Sequence, residues 1–600
     1  MNVEKRMCQN CKREFTITPD DFAFYSKIKV PPPTFCPDCR LQRRMTFRNE
    51  RSLYKRTCDL CKKPFVSMYS PDKSFTVYCK ECWYSDNWDP LQYGQEYDWN
   101  KPFFTQFREL MHKVPRIGIM HIHTNVNADY ANYVADSKNV YLSQSVIAKS
   151  ENVYYSRNID TGKDIFDCFY LKESERCYEA LDCSRIYQSR YLVRSRDCIN
   201  SAFLFDCVNC QNCFMSMNLR NKQYVIRNAQ YSKGEYEKAM EKVNLGGYSN
   251  RELLQTEFVV LMQRALHKFG NLVKTTDCTG DNVENSKNVK TSFAVYDSEN
   301  SKFLTRVLGA ADCYDITGAG HPELVYEAVA VGYESYNSRF LNHGDATGES
   351  LYCDWCQSCE NLFGCISIRK KKYCILNKQY SEMEYKDLVP KIIAHMNEVP
   401  YIDGKGRVYK FGEFFPIELS PFGHNETFAQ EYFPLTREKT IAQGYPWHEP
   451  EPLPYAPTIK AADIPDDVRD ALDSLMSEII ACGDCGRAYR IVKPEFEFLK
   501  RERIALPRKC ERCRYRDRFD LRNPLKLWHR RCCCNGASRG MDHASREAES
   551  HTSHGPWSVY QNMVAHFHGE TPCLNEFETS YAPERVEVVY CEQCYNAEIV

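Results

Sequence analysis

Cysteines near the two ends of this chain share one spacing pattern. A fixed spacing between paired thiols is what a metal ion enforces, because moving one sulfur by a residue takes it out of the coordination tetrahedron. Five cysteines near the start recur near the end, each displaced by the same 474 positions: Cys8, Cys11, Cys36, Cys39 and Cys58 become Cys482, Cys485, Cys510, Cys513 and Cys532. The repeat predicts duplicated metal chemistry at both ends.

Length and composition narrow the class of protein. Six hundred residues, 43% hydrophobic and 26% charged, suit a globular protein of about four domains. The chain starts MNVEKRMCQN with no apolar leader, and no stretch approaches the ~20 apolar residues needed to cross a bilayer. We therefore expect a cytoplasmic protein without membrane contact. In a reducing compartment its 32 cysteines are not expected to form disulfides, which favours metal ligands and small buried side chains.

Four sets of four cysteines are predicted, each holding one structural Zn²⁺. A CxxC turn places two sulfurs on one side, and a second turn closes the tetrahedron at roughly 2.3 Å per Zn–S bond. Four sulfurs leave no open position for an activated water, which favours structural zinc. An interleaved pairing of the CxxC turns remains open. The predicted ligands, set by set, are Cys8, Cys11, Cys36 and Cys39; Cys58, Cys61, Cys79 and Cys82; Cys482, Cys485, Cys510 and Cys513; and Cys532, Cys534, Cys591 and Cys594.

The fourth set departs from the pattern. Asn535 stands where the repeat requires the equivalent of Cys61, and the closing CxxC arrives late, at Cys591. Cys533 and Cys573 are the alternatives to Cys534. This late segment also contains five histidines, which form either a solvated loop or part of a metal site: His543, His551, His554, His566 and His568.

The first set carries a resemblance. CQNCKREFTITPDDFAFYSKIKVPPPTFCPDCRLQRR, with CxxC, a segment containing FY and then CPDCR, is similar to a family of small bacterial zinc-ribbon modules of treble-clef type. The C-terminal copy departs from it at Leu499, in place of the tyrosine, and at Glu511, in place of the proline. The segments FGEFFPIELSPFGHNETFAQEYFPLT and RNPLKLWHRRCCC are similar to parts of larger uncharacterised bacterial proteins with such modules at both ends. The resemblance implies zinc binding and no particular activity.

The middle of the chain is a second duplication. Ser137-Lys-Asn-Val recurs as Ser286-Lys-Asn-Val, and later motifs recur at the same offset of 149. Short strand-like pieces such as NVYLSQSVI and DCFYLKES follow one another at irregular intervals, with polar corners and no helices between them. This pattern predicts a parallel β-solenoid. Helices are expected at residues 234–243, 251–269, 383–393 and 464–480, the last capped by Asp463.

The predicted fold class is therefore mainly β: a duplicated parallel β-solenoid with capping helices, flanked by tandem four-cysteine modules at both termini. The predicted segments are tandem zinc modules at 1–116, the first solenoid half at 117–270, the second at 271–400, a proline- and aromatic-rich strap at 401–462, and a helix plus the second tandem modules at 463–600.

Cysteines and acids inside the solenoid each allow two interpretations. The two CxxCxxC runs suit inward ladders of small side chains, and the alternative is an iron–sulfur or other metal site: Cys207, Cys210 and Cys213, and Cys353, Cys356 and Cys359. Paired acids suit solenoid corners, and the alternative is a carbohydrate-active enzyme: Asp164 with Asp167, and Asp312 with Asp315. In both cases the structural role is favoured, and no catalytic residue is predicted.

Positive charge is concentrated at the modules. Residues 40–63 carry nine basic and two acidic side chains, and residues 490–531 carry 15 and six. Guanidinium groups on a rigid scaffold suit phosphate binding, so the leading hypothesis is a non-enzymatic protein that binds RNA, free or in the ribosome. The alternative is a protein–protein or self-associating scaffold using the tyrosine-rich solenoid. The predicted nucleic-acid contacts are Arg40, Arg43, Arg44, Arg48, Arg512, Arg514, Arg516 and Arg518.

Overall fold

The computed structural model of this chain describes residues 3–320, 323–332, 334–451, 455–536 and 560–600. The predicted mainly β fold with a parallel β-solenoid is confirmed, with about 21 turns in all. The contacts divide the chain into two units. The first contains Met1–Met120, Gly270–Glu449 and Leu525–Leu527, and the second contains His121–Phe269, Pro450–Pro524 and Trp528–Val600. Each unit therefore joins the modules from one end of the chain to the solenoid half that lies farther away in sequence.

The solenoid of the second unit is a ladder of parallel strands that ends in one antiparallel strand. Over most of its length, position i pairs with position i+12 on the next turn, as Arg157 pairs with Phe169 and Phe169 with Leu181. Its strands are His121–Ile122, Asn132–Ala135, Lys138–Tyr141, Gln144–Ile147, Glu151–Tyr154, Arg157–Phe166, Phe169–Tyr178, Leu181–Ser184, Tyr187–Val193, Ala202–Phe205, Gln211–Met217, Gln223–Ile226 and Ala229–Gln230.

The backbone of this solenoid turns a left-handed corner at every third residue. From Asp164 to Arg227 a residue with positive φ recurs at this interval without a break. One full turn thus has four corners and four short sides. The left-handed conformation costs roughly 1–2 kcal/mol for most residues and less for Asn and Asp, which helps to explain the polar corners visible in the sequence. The strands begin at irregular intervals, as the sequence predicted, but the corners beneath them recur with a period of three residues.

One side chain per triplet points into the solenoid. Ser174, Cys177, Ala180 and Cys183 are buried at every third position. Inward serines also bridge neighbouring turns: the Ser174 hydroxyl donates to the Lys172 carbonyl at 2.8 Å and accepts from the Ile186 N–H at 3.2 Å. The interior is therefore narrow and hydrogen-bonded, and it accepts both small polar and medium apolar side chains.

The solenoid of the first unit follows the same rules. Its strands are Leu272–Val273, Gly280–Glu284, Lys287–Lys290, Ser292–Tyr296, Glu299–Lys302, Thr305–Leu308, Thr317–Gly320, Ala330–Val331, His343–Gly348, Asp354–Phe363, Lys372–Ile375 and Lys378–Gln379. Each solenoid is closed by a helix with a complete capping box, Lys233–Met240 after Ser232 and Glu382–Glu398 after Ser381. The helix Tyr248–Arg264 packs on its own solenoid through Phe258, whose ring meets Phe203 edge-on at 5.5 Å.

Short hairpins and helices form the modules. The first unit contains strands Glu4–Met7, Glu14–Ile17, Tyr54–Thr57, Pro64–Ser67, Val77–Tyr78 and Arg116–Ile117, with helices Pro19–Lys27, Pro37–Thr46, Lys80–Tyr84 and Phe103–Lys113. It also holds the hairpin Tyr401–Ile402 and Val408–Tyr409 and the helices Ala429–Tyr432 and Arg437–Ala442. The second unit contains strands Leu266–Lys268, Ile459–Lys460, Ile480–Ala481, Ala488–Tyr489, Trp528–Arg531, Glu576–Thr579 and Val588–Tyr590, with helices Lys493–Glu502, Glu511–Asp520 and Glu592–Ile599.

One predicted helix is wrong. Residues 464–480 contain two short 3₁₀ turns, Val468–Asp470 and Asp473–Ser477, and no α-helix. Tertiary hydrogen bonds take the backbone groups that a helix would use: the Val468 N–H donates to the Gly246 carbonyl at 2.9 Å, and the Asp466 carbonyl accepts from the Tyr248 N–H at 2.8 Å. Local propensity is overridden by pairing with the loop before Tyr248. None of the helices in the described ranges is long and apolar enough to cross a membrane.

Candidate metal centres

Each cysteine set is built from one hairpin and one helix. The first cysteine follows the first strand of a hairpin, as Cys8 follows Glu4–Met7 and Cys482 follows Ile480–Ala481. The third cysteine is the N-cap of a helix, a position held by Cys36, Cys79, Cys510 and Cys591. The positive end of the helix dipole therefore faces the thiolates, which favours their charged form.

The sulfur positions suit one tetrahedral ion in each set. Bonds of roughly 2.3 Å place the sulfurs of a ZnS4 tetrahedron roughly 3.8 Å apart. The Sγ–Sγ distance is 3.7 Å for Cys11–Cys36, 3.9 Å for Cys61–Cys79 and 3.7 Å for Cys485–Cys510. In each of these three sets the four ligand atoms lie within 4.8 Å of one another. The sequential pairing of CxxC turns is the one the structure brings together.

A backbone N–H donates to the first sulfur of every set. The N–H of the third cysteine donates to that sulfur at 3.3 Å for Cys36 to Cys8 and at 3.1 Å for Cys510 to Cys482. Burial opposes the effect, but N–H donors from Cys510 and Cys485 still lower the pKa of Cys482 to about 7. At Cys61 a backbone hydrogen bond at Lys63 lowers the pKa to about 7. These thiols are prepared to lose protons and bind a cation.

The fourth set differs from the predicted one at one ligand. Cys532, Cys591 and Cys594 come together with Cys573, whereas Cys534 lies in a different group. The Cys573–Cys591 Sγ distance is 4.0 Å, and the Cys591 N–H donates to Cys532 Sγ at 3.2 Å as in the other sets. Cys573 thus occupies the position of Cys61.

An insertion inside the metal-binding turn explains the difference. The Cys58 N–H donates to the Lys63 carbonyl, and the Cys532 N–H donates to the Asn575 carbonyl, both at 2.9 Å. Cys61 and Cys573 each stand two positions before the accepting residue, so the inserted segment lies between the first two ligands. The sequence carried a signal for this, because Cys573 precedes Cys591 by the same interval that separates Cys61 from Cys79.

The insertion also forms a Cys/His group. Cys534, His566, His568 and Cys594 have ligand atoms within 4.8 Å of one another. Cys533 is exposed and belongs to neither group. The candidates His543, His551 and His554 lie outside the described residues. Four groups of four cysteines and one Cys/His group in the described ranges have the geometry to hold metal ions.

The arginines of the first module are ion-paired in the interior. Arg40 and Arg44, one turn apart on the helix Pro37–Thr46, both contact the Asp315 carboxylate, at 2.8 and 3.2 Å. Arg43 contacts Glu327 at 2.6 Å and Glu413 at 3.2 Å. These three arginine side chains are at most 1% exposed. The helix that carries two of the predicted metal ligands is thus attached to its solenoid by buried guanidinium–carboxylate pairs.

The second unit repeats this arrangement. Arg514 and Arg518 on the helix Glu511–Asp520 both contact the Asp167 carboxylate, at 3.3 and 2.9 Å. Arg514 also contacts Glu495 at 2.8 Å. The two arginines are equivalent to Arg40 and Arg44 by the offset that relates the terminal cysteines. The same fastening therefore occurs once in each unit.

Aromatic rings accompany these ion pairs. Phe24 stacks on Tyr314 at 3.8 Å, next to Asp315, and Phe498 stacks on Phe166 at 4.1 Å, next to Asp167. Phe24 and Phe498 are also equivalent by the same offset. A buried ion pair and a ring stack thus fix the module to the same region of the solenoid in both units.

Six of the eight arginines predicted to contact nucleic acid do not lie on the surface. Arg40, Arg43, Arg44, Arg48, Arg514 and Arg518 are buried. A buried, carboxylate-paired guanidinium is unable to reach a phosphate without breaking its ion pair. Arg512 and Arg516 keep 55% and 57% of their side chains exposed, and Arg516 pairs with Asp484. Much of the positive charge along these helices serves internal contacts.

The solenoid acids have structural partners. Asp167 and Asp315 hold the arginine pairs, Asp312 contacts Lys27 at 2.9 Å, and Asp164 contacts Arg501 at 3.3 Å. The solenoid cysteines donate to carbonyls two positions earlier, as Cys183 does to Leu181 at 3.2 Å. Neither CxxCxxC run forms a metal-binding group among the described residues. Sequence reasoning missed the arginine–carboxylate pairs, because the solenoid carboxylates lie far from the module arginines in the chain.

No protein-family model matches the chain, and no curated protein matches it.

Proposed function

We propose that this protein is a non-enzymatic, zinc-stabilised scaffold whose solenoids bind protein partners. The main support is that arginines of the modules are buried against carboxylates of the solenoids. The side chains of Arg514 and Asp167, for example, are 7% and 0% exposed. Modules that use their charge internally act as clamps on a solenoid. We further propose that all four cysteine sets hold Zn²⁺ in treble-clef-like modules, consistent with the hairpin-and-helix arrangement of each set.

Three features support a scaffold over an enzyme. A Zn²⁺ bound by four sulfurs has no position left for an activated water. The paired solenoid acids already contact arginine or lysine. The solenoid also exposes large side chains on adjacent turns, such as Tyr187 and Ile199, which are 40% and 43% exposed and pair as neighbours in the ladder. Tyrosine and aliphatic side chains of this kind suit protein contacts.

The test uses the full-length chain cross-linked in cells, with mass spectrometry of the cross-linked peptides. We expect cross-links to a reproducible protein partner from peptides containing residues 163–223, and loss of that partner with Tyr187→Ser and Ile199→Ser together. Tyr455→Ser, at a residue 57% exposed outside the solenoid, is the matched control and should retain the partner. Equal retention by both variants would contradict a solenoid interface.

RNA binding is the alternative to the scaffold proposal and is tested with the same protein. A filter-binding series over increasing salt should show no more than weak, non-specific retention, because six of the eight predicted arginine contacts are buried. Tight binding with a steep salt dependence, reduced by Arg512→Gln and Arg516→Gln, would overturn the scaffold proposal and restore an RNA-binding role.

A further inference from the structure

The insertion in the fourth module places a second ligand group directly beside the first. Cys594 belongs to both groups: it lies with Cys532, Cys573 and Cys591 on one side, and with Cys534, His566 and His568 on the other. A thiolate has enough lone pairs to bind two cations. The geometry therefore raises the question of whether one ion or two are held here.

His566 has the environment of a metal-binding imidazole. Its side chain and that of Glu598 are 0% exposed, and its Nε2 lies 2.9 Å from Glu598 Oε1. Its Nδ1 is buried and has no hydrogen-bond partner among the residues that the structure describes. A histidine ligand typically donates one ring N–H to a carboxylate or carbonyl and presents its other nitrogen to the metal. An unpaired buried nitrogen is otherwise costly.

His568 follows the same rule. Its Nδ1 lies 2.6 Å from the Thr571 carbonyl, to which it donates, and its Nε2 lies 3.4 Å from Cys594 Sγ. The rings of His566 and His568 face each other at 5.4 Å. One nitrogen of each imidazole also lies within 4.8 Å of the sulfurs of Cys534 and Cys594.

Cys534 completes the group and is itself held in place. It is 1% exposed, and the Asn562 amide donates to its Sγ at 3.4 Å. Asn562 in turn accepts from the Tyr590 hydroxyl at 2.6 Å. A simple thiol–imidazole hydrogen bond would account for Cys594 with His568, but it would leave the buried His566 Nδ1 unpaired.

We propose that Cys534, His566, His568 and Cys594 hold a second Zn²⁺, with Cys594 bridging the two ions of a binuclear site. Two thiolates and two imidazoles are a common tetrahedral zinc set. Five thiolates around two Zn²⁺ leave a formal charge of −1, compared with −2 for one ZnS4 site, which eases burial. The described residues then bind five zinc ions, and the insertion supplies the additional ligands.

Native mass spectrometry of the full-length protein, purified without added metal, tests the count. We expect five zinc ions for the wild type and four for Cys534→Ser and for His566→Ala. Cys533→Ser is the matched control: it removes the exposed neighbouring thiol and should retain five. A wild type with four ions, unchanged by Cys534→Ser and His566→Ala, would overturn the proposal.

A second readout tests the bridge and does not depend on the fold of a single variant. Protein produced in cobalt medium should show magnetic coupling between two Co²⁺ ions, seen as reduced electron paramagnetic resonance intensity per cobalt. His568→Ala, at a partly exposed residue, should remove one ion and restore the uncoupled intensity. Five ions with no coupling would show separate sites and exclude Cys594 as a bridge. Neither result bears on whether the solenoid binds partners, so the two proposals fail independently.

Discussion

Arg518 and Asp167 form a buried ion pair at 2.9 Å, and Arg514 contacts the other oxygen of the same carboxylate at 3.3 Å. Arg44 and Arg40 hold Asp315 in the same way in the other unit. Two arginines one helical turn apart thus recognise a carboxylate at a left-handed solenoid corner. The module, the solenoid and the contact between them therefore each occur twice in the chain.

Breaking this pair should destabilise the second unit. Arg514→Met leaves the buried carboxylates of Asp167 and Glu495 undercompensated, which should cost about 3–5 kcal/mol. We expect a lower thermal midpoint and faster hydrogen exchange in the helix Glu511–Asp520. Arg516→Met, on the exposed face of the same helix, should change stability by less than about 1 kcal/mol. Similar losses in both variants would contradict a specific role for the buried pair.

Metal removal should unfold the modules before the solenoids. A structural zinc site contributes folding free energy directly, whereas each solenoid turn is stabilised by its neighbours. With a strong chelator we expect zinc release together with increased exchange at residues 3–82 and 480–536. Exchange at the inner solenoid residues, such as Cys183 and Leu192, should increase less. Simultaneous unfolding of all these segments would show that the solenoids depend on the metal as well.

Inner cysteines of the solenoid should be replaceable by serine. Cys183, Ser195 and Cys207 occupy one slot on consecutive turns: Cys183 Sγ accepts from the Ser195 N–H at 3.4 Å, and Ser195 Oγ accepts from the Cys207 N–H at 3.1 Å. Cys183→Ser should therefore change stability by under about 1 kcal/mol and leave the zinc content unchanged.

Ser195→Val is the contrasting change in the same slot. It fills the space but leaves the buried Cys207 N–H without its acceptor, which should cost about 1–3 kcal/mol. Chemical denaturation and metal analysis of both variants check these expectations. Zinc loss in Cys183→Ser would revive a metal-binding role for the solenoid cysteines.

The metal sets were largely predictable because their chemistry is local. The CxxC spacings reflect tetrahedral coordination directly and identify the first three sets, and the repeat between the two ends of the chain relates the first set to the third. In the fourth set the sequence favoured Cys534 and gave Cys573 as an alternative, and the structure groups Cys573 with Cys532, Cys591 and Cys594. Counting back from Cys591 by the interval between Cys61 and Cys79 finds Cys573.

The solenoid was predictable as a class but its period was not. Sequence patterns are usually tested against periods of 2 and 3.6, and this backbone has a period of three. Buried positions alternate among Cys, Ser, Ala and Leu, as at Cys183, Ser189 and Leu192, so hydrophobicity alone gives a weak signal. The role of the arginines was unpredictable, because the sequence around each arginine does not indicate a carboxylate partner in a distant part of the chain.

Acid should destabilise the second unit through His267. This ring is buried, with Nδ1 2.9 Å from the Tyr581 hydroxyl and Nε2 2.9 Å from the Met262 carbonyl. Burial, with a contribution from Arg194, lowers the pKa of His267 to about 4, from 6.5. Between about pH 6.5 and pH 4 the folded state thus binds fewer protons than the unfolded state. Stability is unaffected above pH 6.5 and falls as the pH decreases toward 4, by up to about 3 kcal/mol.

His267→Gln should remove this pH-dependent loss of stability. The difference in stability between wild type and variant should therefore shrink or reverse as the pH falls from 6.5. Thermal unfolding at several pH values from mildly alkaline to mildly acidic measures it. His529→Gln is the control: this exposed ring contacts Glu576 and Glu578, which raise its pKa, so its loss should not relieve acid destabilisation. If the difference in thermal stability between the wild type and His267→Gln did not change with pH, titration of the buried ring would be contradicted.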